Sequence, residues 1–218
     1  MKVFLKRLLR AAFGAESAAN LVRWAFYRRN YMTGRFARFS IDKRLEKLLP
    51  HREGFYVELG AHDGALASNT YYFELNKGWK GVLIEPSPNL FLSCNSRRGL
   101  NNFVFCNACV PFDFKEDFVQ MKYLSSMTIS DGLELDLGDY NEFIERGDKG
   151  LIDGECSFVF GAKSATLTSL LDESNAPSLI DFISLDVEGA ELDVLKGLDF
   201  GKYNFKYMVV ECRDVKRL

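Results

Sequence analysis

The residues of this chain best suited to chemistry are carboxylates and glycines at the ends of short apolar segments. Five such segments are predicted to be β-strands, and they cover residues 55–59, 81–85, 103–110, 179–186 and 207–212. Nine polar or small residues stand at or just after their ends: Glu58, Gly60, Asp63, Gly64, Glu85, Asn107, Asp186, Glu188 and Glu211. Six of these nine are carboxylates. Because open α/β sheets bind ligands at the carboxyl ends of their strands, these side chains predict a site that favours positive charge.

Helical segments alternate with these strands, and they cover residues 66–77, 87–99, 165–173 and 189–197. In the second of them, Ser87 suits the N-cap, Pro88 suits the first helical position and Gly99 follows the end. Repeated alternation of strand and helix predicts an α/β fold with a central, mostly parallel sheet and helices on both faces.

Residues 111–163 interrupt the alternation and are predicted to be an acidic insertion. From Asp131 to Glu155 there are nine acids against Arg146 and Lys149. Most stretches of this kind are solvated loops. One that stands between the two halves of an α/β unit is also a place where lids and substrate contacts are found.

Two cofactor classes compete for the turn after the first strand. A dinucleotide fold has G-x-G-x-x-G there, which would require glycines at positions that hold His62 and Ala65. The gathered carboxylates would also repel a pyrophosphate. S-adenosylmethionine has no phosphate and carries a sulfonium and an ammonium, so it fits an acidic crevice better. Glu85 follows Gly64 by 21 residues, close to the spacing of the acid that binds a ribose diol in nucleotide folds.

Three blocks of sequence, VELGAHDGALASNT, GWKGVLIEPSP and IDFISLDVEGAELDVLKG, occur in that order. Through them, residues 53–212 resemble the S-adenosylmethionine-dependent methyltransferases of the FkbM type. The resemblance implies a Rossmann-like class I methyltransferase fold with sheet order 3-2-1-4-5. Such sheets usually continue past the fifth strand with a helix and an antiparallel strand pair, whereas only RDVKRL follows Cys212. The C-terminal strand pair is therefore expected to be missing.

The resemblance also implies which residues contact the cofactor. They are Glu58, Gly60, Ala61, Asp63, Gly64, Glu85, Asn107 and Asp186. Among them, Glu58, Gly60 and Gly64 would form the loop under the methionine part, and Glu85 would bind the ribose hydroxyls. Each also has a structural interpretation, because glycines suit any tight turn and an acid beside a helix start interacts well with the helix dipole.

Catalysis of methyl transfer to an alcohol needs a base near the acceptor. Asp186 is the first candidate, with Glu188 and His62 behind it. The alternative is that Asp186 and Glu188 only interact with the dipole of the next helix at its N-terminus, and that His62 only fills space in the loop. The two acids could also hold a divalent cation, but no third ligand is identified and no metal is predicted.

The predicted function is O-methylation of a hydroxyl on a sugar, glycolipid or natural product, so the expected partner is a small-molecule or glycan acceptor. Two alternatives stay open. One is a catalytically inactive binding or trafficking module with the same fold, and the other is a nucleotide-cofactor oxidoreductase. The complete glycine turn, Glu85 and the DVEGAE block favour the methyltransferase.

Residues 1–45 are predicted to be a basic, helical N-terminal extension of a methyltransferase domain at 46–218. The extension has eleven Lys or Arg against Glu16 and Asp42, although the whole chain has a net charge of −2. Apolar residues recur at helical spacing in residues 4–12, with basic residues opposite. This pattern suits a helix packed on the domain, or peripheral contact with an anionic membrane.

The amino-acid composition bears on the expected partners and on the expected cellular location. The near-zero net charge gives no reason to expect nucleic acid as a partner. Five cysteines without framework spacing, and no secretory signal, predict free thiols and a cytoplasmic location.

Overall fold

The computed structural model describes residues 28–131, 133, 135–136, 139–151 and 155–212. These residues hold nine strands: β1 (Phe55–Leu59), β2 (Lys80–Ile84), β3 (Phe103–Phe105), β4 (Asn107–Cys109), β5 (Phe118–Tyr123), β6 (Ile129–Asp131), β7 (Phe158–Ala165), β8 (Leu179–Leu185) and β9 (Asn204–Val210).

The strands form two sheets. The central sheet has five strands in the order β3-β2-β1-β8-β9, and all its neighbouring pairs are parallel. The second sheet has the order β4-β7-β5-β6, and only its β4–β7 pair is parallel. The predicted α/β class with a central parallel sheet is confirmed. Numbered along the chain, the order differs from the predicted 3-2-1-4-5, because the fourth and fifth predicted strands are β8 and β9 and the second sheet adds strands before them.

Helices connect and cover the strands. They are α1 (Ile41–Leu48), α2 (Tyr71–Lys77), α3 (Pro88–Arg98), α4 (Tyr140–Gly150), α5 (Leu167–Glu173) and α6 (Glu191–Lys196). Residues 28–33 are also helical, and short 3-10 turns occur at Arg38–Ser40 and Ser125–Met127.

Side chains of β1 alternate between two hydrophobic clusters, one on each face of the central sheet. Val57 packs in a cluster that includes Leu170 of α5 and Val194 of α6. Tyr56 packs in a second cluster with Leu45 of α1 and residues of α2 and α3. Since successive residues of a strand point to opposite faces, helices cover both faces of this sheet.

The structure differs from the sequence prediction in three places. The strand predicted at 103–110 is two strands in different sheets, because Phe105 pairs with Ile84 whereas Asn107 pairs with Lys163. The helix predicted at 66–77 begins only at Tyr71. The predicted insertion holds a long strand, β7, that was not predicted at all, since Gly161 and Lys163 interrupt its apolar pattern.

The amphipathic helix predicted in residues 4–12 lies outside the described residues. Within the described part of the chain, no helix has the length and apolar character needed to cross a membrane.

Candidate active site

A cleft opens at the carboxyl end of the central sheet, with an empty volume of about 960 Å³ including its mouth. Its lining comes from the turns after β1, β2, β8 and β9, and from β5, β6 and the turn between them. The position is the one at which α/β sheets bind ligands.

Six of the ten predicted site residues line the cleft: Gly60, His62, Glu85, Asn107, Asp186 and Glu188. The structure therefore brings together all three candidates for the base and the acid expected to bind the ribose. Contact of these residues with a cofactor stays a prediction.

The other four predicted residues are not part of the cleft lining, and they shape the turn after β1. Ala61 is buried in the cluster that also contains Tyr56. Asp63 accepts the N–H groups of Ala65 and Leu66 at 3.0 and 2.7 Å. Gly64 has a φ of +80°, and a Cβ at this position would lie 3.0 Å from Arg98 Cδ and 3.1 Å from Cys94 Sγ.

Glu58 is buried, and both of its carboxylate oxygens are engaged within the protein. Oε1 accepts the N–H of Asn69 at 2.8 Å, and Oε2 accepts the hydroxyls of Ser68 and Thr70. These hydrogen bonds hold residues 68–70 in a non-helical conformation. For this reason α2 begins later than its sequence predicts.

Arg98 neutralises this buried carboxylate from α3. Its Nη1 lies 3.1 Å from Glu58 Oε2, and its side chain has no exposed surface. The same guanidinium donates to the carbonyl of Gly64, the hydroxyl of Tyr56 and the carboxylate of Glu74. A planar group with five donors is suited to such a network. Arg98 thereby connects β1, the turn after it and α2.

Gly60 is required by the close approach of two strand ends. Its φ is +72°, and a Cβ at this position would lie 1.9 Å from the carbonyl oxygen of Asp186. The N–H of Gly60 donates to the carbonyl of Ile84 at 3.1 Å. The turns after β1, β2 and β8 therefore meet at Gly60, and this packing explains the glycine without a ligand.

Glu85 is a buried carboxylate on the lining of the cleft. Its Oε1 accepts the N–H of Ser87 at 2.9 Å and its Oε2 accepts the N–H of His62 at 2.8 Å. Burial raises the pKa of Glu85, although these N–H groups and the His62 ring oppose the rise. Each oxygen has one further lone pair with which it can accept a hydroxyl.

His62 has a strained backbone and an unsatisfied ring. Its φ is 51°, which is unusual for a residue with a side chain. Both ring nitrogens are buried and have no hydrogen-bond partner among the described residues, and Asp63 Oδ1 lies 3.6 Å from Nδ1. Buried polar atoms and backbone strain of this kind cluster at functional sites.

Asp186, Glu188 and Glu211 bring three carboxylates together after β8 and β9. One oxygen of each lies within 4.8 Å of the others. Like charges at this distance repel one another, so the cluster suits a cation. A sulfonium or an ammonium would fit this requirement, and so would a hard metal ion, although exposed acidic groups are common without one.

Buried Glu191 holds the backbone of this acidic loop. Its Oε1 accepts the N–H of Val187 at 3.0 Å and the N–H of Gly189 at 3.3 Å. Burial raises the pKa of Glu191, and the negative charge of Glu211 raises it further. Glu191 is therefore more than a first-turn acid of α6, because it fixes the backbone on both sides of Glu188.

A family model described as the methyltransferase FkbM domain matches residues 58–217. The match covers well over half of the chain. The chain belongs to the FkbM methyltransferase family. Comparison with curated proteins and with solved structures found no match. The resemblance of the three sequence blocks to this family is thus confirmed, and the protein is a methyltransferase at the level of its family.

One part of the cleft in this FkbM-family chain was not predicted from sequence. It consists of Arg38 and of Met121, Ser125, Ser126, Thr128, Ser130 and Leu133. Apolar and polar residues alternate in FDFKEDFVQMKYL, as suits the strand β5, but no local pattern shows that β5 pairs with β7. Ser130 Oγ is buried and has no hydrogen-bond partner among the described residues. It is a second unsatisfied polar group on the cleft lining, after the ring of His62.

Proposed function

We propose that the protein transfers a methyl group from S-adenosylmethionine to a hydroxyl of a sugar, glycolipid or other natural product. The observation that supports this best is Glu85, a buried carboxylate in the same cleft as three further acids. A carboxylate with one free lone pair on each oxygen is suited to the two hydroxyls of a ribose.

The rest of the cleft fits the same cofactor. Bound S-adenosylmethionine supplies an electrophilic methyl group on a positively charged sulfur. Asp186, Glu188 and Glu211 provide negative charge for a cationic ligand, and Arg38 is the only Lys or Arg among the described residues of the lining. Gly60 leaves no side chain between the strand ends and the ligand.

Asp186 is our first candidate for the base. It is exposed and lines the cleft, so its carboxylate can accept the acceptor's proton as the new C–O bond forms and the C–S bond breaks. Glu188 and His62 are the next candidates. An imidazole can accept a proton, and neither nitrogen of the His62 ring has a hydrogen-bond partner among the described residues. A positioned base accelerates such a step by roughly 10²–10⁴-fold.

The replacement Asp186→Asn tests this assignment. Turnover of a panel of glycosides and polyols with methyl-labelled cofactor should fall by about 10²-fold or more, a much larger change than that in the Kd for S-adenosylhomocysteine, which lacks the sulfonium charge. Asp113→Asn, at an exposed position outside the lining, serves as the control. Unchanged turnover in Asp186→Asn would remove Asp186 from the base role. Binding of S-adenosylhomocysteine without any methyl transfer would support the catalytically inactive module instead.

We also propose a cytoplasmic location. All five cysteines have free thiols in the structure. Free thiols persist best in a reducing compartment.

A further inference from the structure

Residues 38–48 present exposed cations and exposed apolar side chains next to the cleft. We call this surface the basic rim, and it consists of Arg38, Phe39, Lys43, Arg44, Lys47 and Leu48, all exposed. Arg38 also lines the cleft, so the rim and the cleft are continuous. The rim is used neither by the core nor by the proposed chemistry.

Neither of the two acids within residues 38–48 is exposed. Asp42 is buried and accepts the N–H groups of Phe36 and Lys43. Glu46 is paired with Arg35 and Lys77. The four cations of the rim form no ion pair with another described residue, so their charges face solvent.

Helix geometry places the cationic residues of α1 on one side. At 100° per residue, Lys43, Arg44 and Lys47 fall within an arc of about 100°, and Leu48 extends that arc. The opposite side contains Leu45, which is buried in the core. The helix thus presents a separate basic face to solvent.

Phe39 gives this basic face an apolar projection. Its side chain is 86% exposed, and its backbone is left-handed with a φ of 53°. The next residue, Ser40, is also left-handed. A left-handed pair without glycine is strained, and here it holds a large aromatic ring in water instead of in the core. Leu48 is the second exposed apolar residue of the rim, at 53%.

We propose that the basic rim docks on the surface of an anionic lipid bilayer. Lys and Arg interleaved with exposed large apolar residues are the pattern of interfacial binding, in which the cations contact anionic headgroups and the apolar side chains enter the interface. A soluble polyanion would satisfy the cations but would leave Leu48 in water. Since Arg38 belongs to both the rim and the cleft, docking brings the mouth of the cleft to the bilayer. The proposal does not depend on the methyl acceptor.

Vesicle sedimentation of the full chain tests this surface. The probes are phosphatidylcholine vesicles with and without phosphatidylserine, at low and high salt. Each cation near an anionic surface contributes about five-fold to the partition coefficient. The triple replacement Lys43→Gln, Arg44→Gln and Lys47→Gln should therefore weaken binding by about 100-fold. Phe39→Asn should weaken it by roughly ten-fold, and asparagine tolerates the left-handed backbone.

Matched controls separate this surface from bulk charge. The control triple removes the same charge from exposed positions elsewhere: Lys80→Gln, Lys149→Gln and Lys163→Gln. Phe118→Asn is the control for an exposed aromatic residue, since Phe118 is 62% exposed on β5. The proposal expects binding that requires phosphatidylserine, falls with salt, is lost in the rim variants and is kept in the controls. Three results would each overturn it: no phosphatidylserine-dependent binding, full binding by the rim triple, or equal loss in both triples.

Discussion

Replacing Arg98 by Met should destabilise the turn on which the cleft is built. The side chain has no exposed surface, and its loss leaves the carboxylate of Glu58 buried without its counter-charge. Removing one partner of a buried ion pair costs about 3–5 kcal/mol. For a domain of this size each kcal/mol lowers Tm by roughly 2–4 °C. The expected loss is therefore about 6–20 °C in Tm.

The assay is urea unfolding, supported by thermal melting, of the wild type and of two neighbouring variants. Arg97→Met is the matched control. Arg97 is partly exposed, donates to the Asp63 carbonyl and the Tyr31 hydroxyl at 3.0 Å and lies 3.5 Å from Asp63 Oδ2. Its replacement should cost about 1–2 kcal/mol. Arg98→Lys keeps the charge but loses the planar fork, so its stability should lie between that of the wild type and that of Arg98→Met. A loss below about 1 kcal/mol in Arg98→Met would show that the network around Glu58 does not hold the turn.

Two further predictions concern the strand ends. Gly60→Ala should lower the free energy of unfolding by about 3 kcal/mol or more, since its Cβ would lie 1.9 Å from the Asp186 carbonyl oxygen, whereas Gly78→Ala, with nothing within 4 Å, should cost only about 1–2 kcal/mol in urea unfolding. Asp181→Asn should flatten the acid limb of the stability profile. Although burial raises the pKa of Asp181, hydrogen bonds from Lys206 and the N–H of Phe55 outweigh it, so the pKa is lowered in the fold. The carboxylate therefore stabilises the fold above its unfolded pKa of about 3.9, and this stabilisation is lost as pH falls through the lower folded value. A wild-type profile as flat as that of Asp181→Asn would contradict this reasoning.

Much of the fold could be predicted because its signals are local. Helix α3 starts at Pro88 and ends before Gly99 as its capping residues indicate. The strands of the central sheet are short apolar segments, and the carboxylates after them meet because parallel strands end at one edge. For this reason the predicted site residues Glu85, Asp186 and Glu188 all line the cleft.

What could not be predicted depends on contacts that are distant in the chain. Apart from Asn107 the segment 103–110 is apolar, so its pattern predicts one strand and does not indicate the division between two sheets at Cys106. The resemblance implies that Glu58 lies in the cofactor loop, whereas its oxygens are engaged by residues 68–70 and by Arg98, 40 positions later. The part of the cleft lining that comes from β5 and β6 depends on the pairing of β5 with β7. The hydrophobic periodicity of the sequence does not reveal the register of this pairing.

Thermal unfolding with S-adenosylhomocysteine tests the central claim most directly. Saturating ligand, at 100 times its Kd, should stabilise the wild type by about 2.7 kcal/mol, while NAD and ATP should give no shift. Glu85→Ala should remove the shift. Glu173→Ala, which removes an exposed acid at the end of α5, should keep it. This account predicts a shift that S-adenosylhomocysteine alone produces, and that Glu85→Ala abolishes but Glu173→Ala does not. No shift on folded wild type, or an undiminished shift in Glu85→Ala, would contradict it.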